Sequence, residues 1–306
     1  MIERETDVLV RRRPAAGGPP DALPPGTAVG TWRLGSMIAS GGCGIVYTAC
    51  HPLLGRRAAV KVLHAELALS QKMVGRFLRE ARAVNQIRHP NIVDIFDVGN
   101  LPDGRPYLVM ELLASEDLDA RIASIGRLRL DEVVAILTPI CEALEAAHRF
   151  GYIHRDLKAS NIGFAETADG TMVPKLLDFG IAKLLVDERE DGTCTIRVGT
   201  PSCMSPEQIR GARVDARTDV YALGVLLHQM VTGCCPFESS SVTEMERMHL
   251  ETPPPLPSRL APVSPAIDGA VTRALAKDPD ERPSTPLELL RLVSAAVEQE
   301  GGLTWS

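Results

Sequence analysis

Apolar and polar positions change rhythm about a third of the way along the chain. From Trp32 the pattern is strand-like and rich in glycine, and a two-faced alternation is explicit at Ala58-Ala59-Val60-Lys61-Val62-Leu63. On a strand Ala59, Lys61 and Leu63 share one face and Val60 and Val62 the other, so Lys61 faces a cleft or solvent. Residues 70–88 set Met73, Phe77, Ala81 and Val84 at helical spacing, which predicts an amphipathic helix with Glu80 beside its apolar stripe. A second apolar strand is expected over 107–111, and helices over 130–150, 219–231 and 286–299.

A strand-rich first third before a helix-rich remainder predicts an α+β chain in two lobes, a small β-rich N-lobe at about 31–112 and a larger helical C-lobe at about 113–296. The prolines over 253–265 fall inside the helical part and predict a long ordered loop. Residues 1–30 carry Arg11-Arg12-Arg13 and five prolines, too little apolar surface to fold alone, and are expected to form a disordered tail. Residues 297–306 are expected to be a C-terminal tail, and no internal repeat is visible.

Composition narrows the classes. The chain has 306 residues and is 45% hydrophobic, enough for a sizeable core. Its 33 basic and 39 acidic residues give a net charge of −6, so no overall positive field favours nucleic acid as a partner. Seven cysteines without C-x-x-C spacing argue against a zinc site or a disulfide framework. The longest apolar stretch, 222–231, is interrupted by His228 and Gln229 and is too short to span a bilayer. With no apolar signal core at the N-terminus, a soluble cytoplasmic chain without a membrane segment is expected.

The candidate chemistry lies in His154-Arg155-Asp156-Leu157-Lys158-Ala159-Ser160-Asn161, with Asp178-Phe179-Gly180 beginning seventeen residues after Asn161. Phosphoryl transfer needs a carboxylate for the acceptor's proton, a cation near the moving phosphate and oxygen ligands for a metal, and Asp156, Lys158, Asn161 and Asp178 supply these. Ala39-Ser40-Gly41-Gly42-Cys43-Gly44-Ile45-Val46 fits a phosphate-covering loop, although a small-residue hairpin turn would account for it equally well in isolation. Lys61 follows Gly44 by seventeen residues and Glu80 follows Lys61 by nineteen, the order expected of a phosphate-neutralising lysine and the carboxylate that positions it.

In these motifs residues 32–295 resemble the eukaryotic-type (Hanks-type) Ser/Thr protein kinases, most of all their bacterial members. The resemblance implies a two-lobed protein kinase-like fold with ATP between the lobes. Ile38, Val46 and Ala59 would sandwich the adenine, Met110 would stand as gatekeeper, and the backbone of Glu111 and Leu113 would bind the adenine edge. Ala39, Gly41, Gly42 and Gly44 would cover the phosphates, Lys61 with Glu80 would hold them, and Asn161 and Asp178 would bind Mg²⁺ or, in its place, Mn²⁺. Asp156 would be the base.

The resemblance extends to Gly199-Thr200-Pro201-Ser202-Cys203-Met204-Ser205-Pro206-Glu207, similar to the family's substrate loop, with Arg282 as the partner of Glu207 and Asp219 as the anchor of the catalytic loop. Lys158 and Thr200 imply serine or threonine acceptors on proteins. Arg155 implies control by phosphorylation, with Thr193 and Thr195 as candidate sites and a homodimer as the route to trans-autophosphorylation. The chain departs from the family pattern at Ala39, Cys43, Ala159 and Cys203, none of which removes a catalytic group. His154 is expected to be a packed structural histidine. The competing expectations are a nucleotide-binding pseudokinase scaffold, which would lose Lys61, Asp156, Asn161 or Asp178, and a small-molecule phosphotransferase, which would lack the substrate loop and Arg282.

Overall fold

The computed structural model describes residues 19–114, 116–167, 169–178 and 201–301. The first lobe is a sheet of β1 (Ala28–Val29), β2 (Trp32–Ser40), β3 (Gly44–Cys50) and β4 (Arg57–Leu63), then, after helices α1 (Ala65–Ala68) and α2 (Gln71–Ile87), β5 (Ile95–Asn100) and β6 (Pro106–Met110). Neighbouring strands are antiparallel, in the order β1-β2-β3-β4-β6-β5.

The alternation read in β4 sorts its residues between two cores. Ala59 and Leu63 enter a large cluster shared with the second lobe, whereas Ala58, Val60 and Val62 enter a smaller one on the outer face of the sheet. β6 repeats the pattern, Leu108 and Met110 facing the large cluster and Tyr107 and Val109 the small one. Lys61 leaves β4 on the large-cluster side and is 6% exposed, so it faces the cleft rather than solvent. Helix α2 starts where the Ser70 hydroxyl accepts from the Met73 amide and ends at Arg88 in a left-handed conformation. Its buried face carries Phe77, Glu80, Ala81, Val84 and Ile87.

The second lobe contains α3 (Leu118–Ile125), α4 (Leu130–Arg149), the hairpin β7 (Ile162–Glu166) and β8 (Met172–Leu176), α5 (Pro206–Arg210), α6 (Ala216–Thr232), α7 (Val242–Glu251), α8 (Pro265–Ala274) and α9 (Pro286–Gly301). Helix α6 is buried on nearly all sides, as an apolar segment with no polar face must be, and α4, α8 and α9 pack on it. The proline-rich stretch is held by a 3₁₀ turn at Pro257–Arg259, where the Ser258 amide and hydroxyl donate to Asp268 at 2.8 and 2.6 Å. Together these elements give the expected α+β, two-lobed protein kinase-like architecture.

Two expected boundaries move. Residues 19–30, assigned to the tail on composition, pack on the N-lobe: β1 pairs with β2, and the Leu23 amide donates to the buried Tyr47 hydroxyl at 2.7 Å. The last helix continues to Gly301, past the expected end at 296.

Candidate active site

The loop that follows α4 is shaped by one buried carboxylate. Asp219, in the first turn of α6, accepts from the amides of His154 and Arg155 at 2.9 Å each and lies 2.7 Å from His148 Nε2. Burial alone would raise the Asp219 carboxyl, but the His148 bond and charge and the His154 amide outweigh it and hold it below its ordinary value. These bonds stabilise a backbone in which Arg155 adopts φ +64°, a conformation unfavourable for a side chain larger than glycine. His154 is fully buried between its neighbours, its Nε2 donating to the Leu177 carbonyl at 3.1 Å and its Nδ1 accepting from the Asp156 amide at 3.3 Å. Burial lowers its affinity for a second proton, in keeping with a packed structural role.

Within that loop Asn161 Nδ2 donates to the Asp156 carbonyl at 2.8 Å and to its carboxylate at 3.4 Å, and Lys158 Nζ lies 3.8 Å from the same carboxylate. The hairpin brings in the next group. Ile162 pairs with Leu176, and the Leu177 amide donates to the Asn161 carbonyl at 2.9 Å, so Asp178 emerges beside Asn161.

From the other lobe, Lys61 Nζ lies 2.6 Å from Asp178 Oδ1 and 3.5 Å from Glu80 Oε1. The three form a charge cluster across the cleft, with Asp178 half exposed and the other two buried. Burial pushes the Glu80 carboxyl up to about 7 against the pull of Lys61, and the Asp178 charge adds to the rise. Partial loss of water works to raise the half-exposed Asp178, but the Lys61 charge and hydrogen bond prevail and hold it below the usual carboxylate range. Lys61 is held protonated by the two carboxylates despite its burial.

Above this cluster the loop between β2 and β3 turns tightly, with the Gly41 amide donating to the Gly44 carbonyl at 3.0 Å. Gly44 lies so close to the Val62 carbonyl that no side chain fits there, whereas Gly41 and Gly42 face open space. Ala39 is paired with Val46, and Val46 with Lys61. Burial pushes the Cys43 thiol up, with Lys61 opposing, so this cysteine is a poor nucleophile. Ala59 and Met110 are partners across β4 and β6, and Val46 packs on the large cluster, while Ile38 is 42% exposed. The Glu111 amide bonds the Asp94 carbonyl at 2.9 Å and its carboxylate lies 2.6 Å from Lys175 Nζ. A side-chain carbon at Gly163 would come within 2.7 Å of Leu113 Cδ1, so Leu113 occupies the space over β7.

Behind the substrate loop, Arg282 holds Glu207 with two bonds of 2.8 Å, and the Thr218 hydroxyl donates to the same carboxylate at 2.8 Å. Burial would raise Glu207, but Arg282 outweighs it. Gln208 Nε2 donates to the Arg155 carbonyl at 2.9 Å and joins this segment to the catalytic loop. A cavity of 440 Å³ opens beside Ser202 and Met245, and its lining includes none of Lys61, Asp156, Lys158, Asn161 and Asp178. Phe179, Gly180, Thr193, Thr195 and Thr200 lie outside the described residues.

His148, Gln208 and Thr218 escape a reading of the sequence. Each is a single polar residue in a helix, and the group it bonds is distant in sequence or carries no motif of its own.

A family model described as protein kinase domain matches residues 32–293. Serine/threonine-protein kinase Pkn1 of Myxococcus xanthus is 45% identical over 258 residues, covering 84% of this chain and 37% of the relative. Serine/threonine-protein kinase PknB of Mycolicibacterium smegmatis is 39% identical, covering 84% of this chain and 41% of the relative. The chain thus spans well under two thirds of the length of these curated relatives. The crystal structure of the Mycobacterium tuberculosis PknI kinase domain superposes with a TM-score of 0.71 at 28% identity, covering 90% of this chain and 100% of that one. With the family match, the two lobes and the cluster around Asp156 in agreement, the chain belongs to the protein kinase domain family.

Proposed function

We propose that this chain transfers the γ-phosphoryl group of ATP to serine and threonine hydroxyls of proteins, its own among them. The observation that carries the reading is convergence. Asp156, Lys158 and Asn161 meet on one loop, and Lys61 and Asp178 meet 2.6 Å apart across the cleft.

Asp156 takes the proton of the acceptor hydroxyl. The hydroxyl oxygen bonds to the γ-phosphorus as the bond to the bridging oxygen breaks, and ADP leaves. Lys158 offsets charge on the moving group, and Lys61, positioned by Glu80, holds the α- and β-phosphates. Gly41, Gly42 and Gly44 lie over the phosphates. Ala39, Ile38, Val46 and Ala59 border the nucleotide, with the Glu111 carbonyl and the Leu113 amide at the adenine edge.

Asn161 and Asp178 would hold the divalent metal. The Asn161 amide nitrogen is committed to the Asp156 carbonyl, which leaves its oxygen as a donor, and Asp178 is held ionised. Two hard oxygen donors suit Mg²⁺, which keeps waters and takes phosphate oxygens, and Mn²⁺ accepts the same set. When bound, the metal neutralises phosphate charge. The protein's own contribution is positioning and electrostatics.

Serine or threonine as acceptor is supported by Lys158 and by Thr200 in the sequence. Phosphate at Thr193 or Thr195 would be met by Arg155 and order the segment before Glu207. A pair of chains would allow this in trans. Lys61, Asp156, Asn161 and Asp178 are all in place, and the scaffold alternative keeps only the departures at Ala39 and Cys43 in its favour.

The test is phosphate incorporation from γ-labelled ATP with Mg²⁺, into the chain itself and a generic basic protein, beside Asp156→Asn. Incorporation lost in the variant supports the reading, whereas a variant equal to wild type, or a wild type that binds ATP without transfer, sinks it.

A further inference from the structure

Among the described residues before the family match, which begins at residue 32, Asp21 bonds groups next to the glycine-rich loop. Asp21 lies against the junction of β4 and α1. Its carboxylate accepts from the Ala65 amide at 3.0 Å, capping a helix whose own N-cap residue, His64, provides no side-chain cap. The same carboxylate lies 3.0 Å from His64 Nδ1 and 3.6 Å from Arg105, and Arg105 donates to the Asp21 carbonyl at 2.7 Å. Burial would raise the Asp21 carboxyl, but the Ala65 and His64 bonds outweigh it and hold it ionised.

The far side of the His64 ring touches the phosphate-covering loop. Its Nε2 lies 2.9 Å from the Gly41 carbonyl, and its backbone amide donates to the Cys43 carbonyl at 3.2 Å. Both ring nitrogens therefore face oxygens, the Asp21 carboxylate on one side and the Gly41 carbonyl on the other. Behind Asp21 stands Arg105, which in turn donates to Asp103 at 2.9 Å. The Gly41 amide is tied within the loop to the Gly44 carbonyl at 3.0 Å, and the histidine bond to its carbonyl adds a restraint from outside the loop.

We infer that Asp21 and His64 form a relay by which the segment N-terminal to the kinase domain sets the position of the glycine-rich loop, His64 acting as a positioning residue for the nucleotide phosphates. The inference rests on the proposed role of that loop. A restraint on phosphate cover acts on nucleotide binding more than on the chemical step, because the loop that carries Asp156, Lys158 and Asn161 is anchored separately, at His154 and Arg155, by Asp219.

The experiment uses the full chain with Asp21→Asn, His64→Gln and the double variant. Each is assayed for KM of ATP and kcat, and by hydrogen–deuterium exchange at residues 40–44 without nucleotide. Asparagine keeps an acceptor for the Ala65 amide, and exchange across α4 and α6 reports whether the fold is intact. The expected result is a rise of about threefold to tenfold in KM for ATP with kcat within about twofold, the loss of one charge-assisted hydrogen bond at a partly exposed site. The double variant should be no worse than either single one, since both break the same chain of contacts. Faster exchange confined to residues 40–44 should accompany both single variants. Unchanged KM with unchanged exchange, or additive effects in the double variant, overturns the relay. A wild type with no phosphoryl transfer would sink the kinase reading instead, and the exchange arm would then decide the relay alone.

Discussion

Glu80 is buried beside an ammonium group that sits closer to another carboxylate, 2.6 Å from Asp178 against 3.5 Å from Glu80. Its carboxyl is raised from 4.5 to about 7, so the folded chain binds this proton more tightly than the unfolded chain does. Stability from this group is therefore fully present below about 4.5 and is lost as pH rises through about 7. Glu80→Gln should match wild type in melting temperature below about pH 4.5, exceed it by a margin that grows between about 4.5 and 7, and keep that margin above 7. Melting curves across pH check this, and a variant less stable than wild type at alkaline pH would contradict the sign. Activity should run the other way, falling as pH drops below neutrality, where a protonated Glu80 no longer positions Lys61. At this scale Lys61, Asp156, Asn161 and Asp178 were legible because each sits in a short motif whose spacing carries meaning. Asp21 was not: its partner His64 is 43 residues away, and an aspartate among prolines looks like any solvated tail residue.

The catalytic loop is an element without secondary structure of its own, and its shape is borrowed from α6. Asp219→Ala would leave the buried amides of His154 and Arg155 without their acceptor, at a cost of about 1–3 kcal/mol each. The loop would then relax from the positive φ at Arg155, carrying Asp156 with it. The expected outcome is a loss of at least about tenfold in kcat with KM for ATP nearly unchanged, because Lys61 and the glycine-rich loop belong to the other lobe. Steady-state kinetics decide it, and a change confined to KM would show that α6 does not set the loop. Arg282→Ala strands Glu207 as a buried charge and should cost about 3–5 kcal/mol in denaturant unfolding, more than Arg282→Lys, which keeps the charge but loses the two-pronged contact. Elements were legible in proportion to their length. The 3.6-residue period located α2, and the long segments α4, α6 and α9 were placed to within a few residues, whereas α3, α5 and α7 are too short, or too exposed, to stand out. The β7–β8 hairpin, which delivers Asp178 to Asn161, was hidden because five-residue strands flanking a polar turn leave little pattern to read.

The two lobes share one large apolar cluster, running from Ala59, Phe77 and Leu108 in the first lobe to Leu144, Leu176 and Leu223 in the second. The seam is stitched by backbone as well: Ile92 forms a parallel bridge with Leu176, the Val93 amide donates to the Leu176 carbonyl at 3.0 Å, and the Leu176 amide donates to the Asn91 carbonyl at 2.8 Å. The two-lobed division, visible in the change from strand to helix along the chain, is therefore a division of secondary structure and not of the core. This continuity was beyond the sequence, since periodicity shows which residues are buried but not which face they meet. A core in common makes the lobes interdependent in stability, so heat should unfold them together. Leu176→Ala removes a fully buried side chain at the seam and should cost about 2–5 kcal/mol. In a Trp305→Phe background, Trp32 fluorescence reports the first lobe and far-ultraviolet circular dichroism mainly the helices of the second. The two transitions should coincide in the parent and fall together in Leu176→Ala. If Leu176→Ala lowered the dichroism midpoint alone and left the Trp32 transition in place, the lobes would be separate folding units, and the cleft would be a contact between two domains and not an opening in one.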